Sequence, residues 1–152
     1  MNKVVICFFS LLLFISQGWS FQNEPGGFRD IAWGTHISAL KDMKSSSWEN
    51  VYIRKNDSLF MEGIRLKDIL YIFESGKFTK VLIQPLHSDD MINLKDFCFD
   101  YFGPVEGEFK KEDGFMYINY QWVGQTAKIV FSVMDGSAKG LGTTCVLSIG
   151  RK

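Results

Sequence analysis

Gly27-Phe28-Arg29-Asp30-Ile31-Ala32-Trp33-Gly34-Thr35-His36-Ile37-Ser38-Ala39-Leu40-Lys41-Asp42-Met43 is the stretch on which the reading of this chain turns. Trp33 is a large apolar side chain, and Gly34 after it is free to turn at positive φ. Thr35 is placed to cap a helix, because its hydroxyl can accept from the unpaired backbone N–H groups of a first turn. Ile37 and Leu40, three apart, would bury one side of that short helix. Trp33, Gly34 and Thr35 together read as a structural anchor, with the indole lodged under the sheet that follows.

Before this stretch lies a targeting pattern. Lys3 is the only charge ahead of twelve residues, Val4 to Ile15, that are apolar apart from Ser10. A membrane span needs roughly 20 such residues, so the run has the size of a signal-peptide core. Small residues at Gly18 and Ser20 place cleavage after Ser20, with cleavage after Gly18 as the alternative and an uncleaved anchor as the competing reading. Residues 1–20 are thus expected to be a signal peptide, 21–26 a flexible lead-in around Pro25, and 27–152 a single domain. Cleavage removes one basic side chain, Lys3, so 17 basic and 17 acidic groups become 16 and 17. That balance gives no field for nucleic acid or an anionic membrane surface.

Downstream, Val51 and Ile53 alternate with polar neighbours, and Asn56-Asp57-Ser58 marks a turn. Ile64 and Leu66 are two apart, but the next apolar positions are Ile69, Tyr71 and Phe73, so a bulge is expected near Lys67-Asp68. Glu74 to Lys77 turns the chain into a return strand that ends at Pro85. Met91, Leu94, Phe97, Cys98, Tyr101 and Phe102 have helical spacing, with Ser88 as cap and Gly103-Pro104 as stop. Glu106 to Asp113 reads as a charged loop. A second hairpin has Met116, Ile118, Tyr120 and Trp122 on one face and Ile129, Phe131 and Val133 on its return, and Cys145, Leu147 and Ile149 close the sheet. Hairpin connections require antiparallel pairing. The expected class is α+β, an antiparallel sheet of about six strands packed with two helices, and the matching order of elements points to a duplicated helix-βββ unit.

Phe28-Arg29-Asp30-Ile31-Ala32-Trp33-Gly34-Thr35, with the later Tyr71-x-Phe73, Phe102-Gly103-Pro104 and Tyr120-x-Trp122, resembles a group of uncharacterised bacterial secreted proteins. They share an F-R-x-I-x-W-G-T opening after a signal peptide. More distantly, the W-G-T and F-G-P pieces look like the helix starts and stops of β-lactamase-inhibitor-like domains and of small outer-membrane-assembly lipoproteins. That likeness implies a binding module on an α+β scaffold. The lipidated cysteine of the lipoproteins is absent here.

Chemistry-bearing motifs are sparse. The sequence has no G-x-S-x-G and no H-E-x-x-H, and Gly76-Lys77 lacks the remainder of a phosphate-binding loop. His87, Asp89 and Asp90 could present an imidazole and two carboxylates, although a solvated helix start accounts for the same residues. Trp48, Tyr52 and Trp122 are the candidates for an aromatic binding patch, against the alternative that strand aromatics are core. Cys98 and Cys145 survive signal cleavage as a pair on apolar faces. A disulfide is expected in an oxidising compartment, with two buried free thiols as the alternative. The sequence therefore reads as a periplasmic or secreted, non-catalytic binding domain for a protein or envelope component, with no cofactor, no metal and no membrane span after cleavage. An envelope hydrolase using His87, Asp89 and Asp90, or a small-ligand carrier with a pocket behind Trp33, is the alternative.

Overall fold

The structure is a computed structural model that describes residues 21–152, so the expected signal peptide lies outside the described residues. Five short strands come first: β1 (Gly27–Phe28), β2 (Ile31–Ala32), β3 (Met43–Ser45), β4 (Val51–Arg54) and β5 (Phe60–Met61). The long hairpin β6 (Ile64–Glu74) and β7 (Lys77–Pro85) follows, then the helix α1 (Ser88–Phe102). The chain closes with β8 (Gly107–Glu112), β9 (Phe115–Val123), β10 (Ala127–Asp135) and β11 (Thr143–Arg151).

Two hairpins carry the architecture. Ser75 and Gly76 both sit at positive φ, 49° and 76°, in the two-residue connection of β6 to β7, the backbone whose twist suits paired strands. The ladder between them slips between Leu66 and Asp68, where the apolar phase of the sequence shifts. β9 and β10 form the second hairpin, and β11 pairs with both β10 and β7, joining the two into one antiparallel sheet. Its order is β3-β4-β6-β7-β11-β10-β9-β8, with β5 alongside β6 and with β1 and β2 in a separate small hairpin.

The architecture is mostly antiparallel β, with eleven strands and one α-helix among the described residues. This overturns the expected α+β arrangement of about six strands and two helices. Where the first helix was expected, Ile37–Ala39 makes only a 3-10 turn, and Leu40 leaves it extended at φ −110° and ψ 109°. Two apolar positions three apart satisfy a single turn, and a lone turn lacks the hydrogen bonds that would repay its ordering. Without that helix the duplicated helix-βββ unit disappears as well. β8 escaped the sequence reading because all six of its residues are exposed, so neither face carries an apolar period.

The core lies on one face of the sheet. Ile69, Ile83, Leu147, Phe131 and Tyr120 stand in one cross-strand row, and Tyr71, Val81, Ile149, Ile129 and Trp122 stand in the next. α1 packs on β6, β7 and β11 through Asp90, Leu94, Cys98 and Phe102, a buried line at four-residue spacing. Ser88 does not cap it: His87 holds the cap position and makes no side-chain capping bond. The outer face carries half-buried Leu70, Leu82, Val130 and Val146 among Lys80, Gln84, Ser132 and Ser148, a mixture suited to a solvated sheet face. No helix among the described residues is long and apolar enough to cross a membrane.

Candidate functional site

The Phe28–Thr35 opening is a clamp built from its own residues. Phe28 and Ile31 are buried where β1 pairs with β2. Arg29, in the turn between them, forms an ion pair with Asp57 and donates to the Ser58 carbonyl at 2.5 Å. The second Asp57 oxygen accepts from the buried Tyr71 hydroxyl at 2.7 Å. Asp30 is gripped by the Arg54 guanidinium, whose Nε donates to Asp42 at 2.5 Å. Hydrogen bonding from Arg54 holds the Asp30 carboxyl down at about 2, and the same contacts push the guanidinium up. Burial raises the Tyr71 phenol. These groups tie the first hairpin to β4 and β6.

Trp33 is half-buried, its ring 4.9 Å from that of Phe78 and its Nε1–H donating to the Pro25 carbonyl at 2.7 Å. Gly34 stands at φ 84° and its N–H donates to the Phe78 carbonyl at 2.8 Å. Thr35 caps nothing: its hydroxyl donates to the Ala32 carbonyl at 2.8 Å, and the following turn is capped by His36 Nδ1, which accepts from the Ser38 N–H.

Residues 21–26, expected as a flexible lead-in, are docked. Phe21 stacks on Phe102 with ring centroids 5.8 Å apart, and Asn23 donates to the Tyr101 carbonyl at 2.6 Å. The Glu24 carboxylate accepts from the backbone N–H groups of Thr126, Ala127 and Gln125 in the β9–β10 turn. The Thr126 N–H contributes most to holding its carboxyl at about 2.

Between the docked segment and the sheet margin runs a groove. Its larger part, about 630 Å³, is lined by Pro104, Val105, Glu106, Glu108, Asn119, Gln121 and Val123. A second hollow of about 320 Å³ shares Pro104, Val105, Gln121 and Val123 with it and reaches Phe21, Gln22 and Trp122. Glu108 stands directly across from Asn119 in the β8–β9 ladder. Neither Glu106 nor Glu108 makes an ion pair among the described residues. The groove therefore offers two uncompensated carboxylates, two carboxamides that both donate and accept, and an apolar wall.

The aromatic candidates are not brought together. Trp48 is 63% exposed in the β3–β4 connection, and Tyr52 is half-buried with its ring edge-on to Phe73. Trp122 is buried near the other margin of the sheet, where its Nε1–H donates to the Gly103 carbonyl at 2.7 Å. Asp90 is committed to Arg65, accepting from its backbone N–H at 3.1 Å and its Nε at 3.3 Å. Burial raises that carboxyl, and the Arg65 bonds outweigh it to leave the group lowered. Asp89 and His87 are exposed. The expected disulfide is corrected to two buried free thiols, Cys98 and Cys145, each pushed up to about 12 by burial.

Sequence reasoning treated Glu106 and Glu108 as loop charges and passed over Asn119 and Gln121. The available signal was parity: those two amides occupy alternate positions of a strand whose other face is Ile118, Tyr120 and Trp122. No protein-family model, curated protein or solved structure matches this chain.

Proposed function

We propose that this chain is a non-catalytic binding domain, periplasmic or secreted, that holds an extended basic segment of a partner protein in the groove beside β8 and β9. The observation that carries the reading is the lining of that groove: Glu106 and Glu108 face it without a cationic partner among the described residues, beside the amides of Asn119 and Gln121. Extended backbone finds both donors and acceptors in the amides, and Lys or Arg side chains find the carboxylates. Pro104, Val105 and Val123 supply apolar contact. The carboxylates held lowest, Glu24 and Asp30, are engaged in contacts that join segments of the fold, which leaves them unsuited to acid–base work. The extracytoplasmic setting rests on the leader pattern and on the resemblance of the Phe28–Thr35 opening to secreted bacterial proteins. A small amine-bearing ligand is the second reading, favoured by a volume within the usual range of small-molecule sites.

An array of extended peptides of equal length, basic and acidic, tests the proposal. Basic peptides are expected to be retained, and retention should fall about tenfold in a Glu106→Gln/Glu108→Gln variant, two exposed charge contacts giving at most about 1 kcal/mol each. Equal retention of acidic and basic peptides would sink the reading. Binding of free polyamine without any peptide preference would favour the small ligand.

A further inference from the structure

We propose that two copies of this chain associate by pairing their β8 strands antiparallel across a two-fold axis, which makes one continuous sheet. This goes beyond the groove reading and does not depend on it; in the paired form Glu108 faces the second copy and Glu106 is left as the groove's free carboxylate. β8 ends the sheet, and among the described residues no strand occupies its outer edge. All six of its residues are exposed, Phe109 to 62%. Such an edge presents unpaired N–H and C=O groups to any strand that can approach. The opposite edge, β3, has only three residues.

Charges on an edge strand usually repel a newcomer, but here their order suits a second copy. Residues directly opposite in an antiparallel pair point to the same face. A two-fold axis perpendicular to the sheet preserves faces, so a residue can oppose only itself or one an even number of positions away. Four registers centred on an interior residue of the strand then matter. Centred on Glu108, two carboxylates meet. Centred on Lys110, two ammonium groups meet and Glu108 opposes Glu112 of the partner subunit. Centred on Lys111, two ammonium groups meet on the axis, although Lys110 there opposes Glu112 of the partner subunit. Centred on Phe109, Glu108 opposes Lys110 of the partner subunit on both sides of the axis, and the exposed phenyl ring meets its own counterpart. Opposite charges across a strand pair stabilise it and like charges do the reverse, so of the four the register centred on Phe109 is the one that opposes no like charges within Gly107-Glu108-Phe109-Lys110-Lys111. In it Lys110 also keeps Glu112 of its own chain, 2.6 Å away.

The contact is short, so association is sought by sedimentation equilibrium over about 10 µM to 1 mM, the range fitting a small interface. The purified protein, with no ligand added, should rise from the mass of one chain toward two. Glu108→Lys and Lys110→Glu should each stay at one, because like charges then oppose. An equimolar mixture of the two variants should recover the mass of two, since each supplies the charge the other lacks. A parent that stays at one chain throughout, single variants that associate like the parent, or a mixture that fails to recover would each overturn the proposal. Peptide retention plays no part in this readout, so the failure of one reading is distinguishable from the failure of the other.

Discussion

Gly27 shows how far a single residue can be forced by its surroundings. A Cβ there would lie 2.1 Å from the Ile31 carbonyl oxygen and 2.8 Å from the Ala32 Cα. Both are backbone atoms of the facing strand, so no side chain can rotate aside. Gly27→Ala must open the β1–β2 hairpin, which unseats Phe28 and Ile31 from the core. A loss of about 3 kcal/mol is expected, the upper part of the overpacking range, read as the shift of a urea midpoint at unchanged slope. A variant that melts with the parent would mean the hairpin is not closed as described. At this scale the sequence was legible wherever neighbours repeat with a period. Trp122 falls in phase with Ile118 and Tyr120, and its burial follows from that phase; treating it as an exposed aromatic set aside the stronger signal. Thr35 misled for the opposite reason, because a cap is meaningful only once a helix exists to be capped.

At the scale of elements, the long hairpins and α1 were legible because one face of each is buried, and burial writes its period into the sequence. β8 has no buried face and β3 only three residues, so their existence depends on neighbours that a local reading does not see. The groove inherits that blindness, since half of its polar lining comes from β8 and the linker before it. The helix–sheet seam also decides the cysteines. Cys98 on α1 and Cys145 on β11 are each at most 5% exposed. Their charges would repel each other, and burial holds both thiols near 12. Since the thiolate is the reactive form, neither should react with a disulfide reagent at pH 8 in the native protein. Both should react at once in denaturant, so a chain of residues 21–152 gives two thiols without reductant. Finding none in denaturant would restore the bridge, and rapid native reaction would mean that α1 does not cover this part of the sheet.

Across the whole molecule, the sheet is held at its margins by carboxylates that join distant parts of the chain. Glu24 fixes the first described residues to the β9–β10 turn, and Asp30 fixes the first hairpin to β4. Both titrate near 2 in the folded protein against ordinary values of 4.5 and 3.8. Their folded-state values are depressed, so the stability they contribute is fully present above the unfolded values. As pH falls below about 4.5 the unfolded chain takes up protons that the folded chain refuses, and unfolding gains. The contribution is gone once pH passes through about 2, where the folded groups also protonate. Urea midpoints measured from pH 7 to pH 2 should therefore be level down to about pH 5 and then fall steadily. Glu24→Gln keeps an oxygen for the Thr126 and Ala127 N–H groups but carries no titrating proton. Its midpoint should start lower at pH 7 and fall less between pH 4.5 and 2, so the two curves converge at the acid end. Parallel curves would show that Glu24 is not held by the turn, and the docking of residues 21–26, with the wall they give the groove, would have to be abandoned.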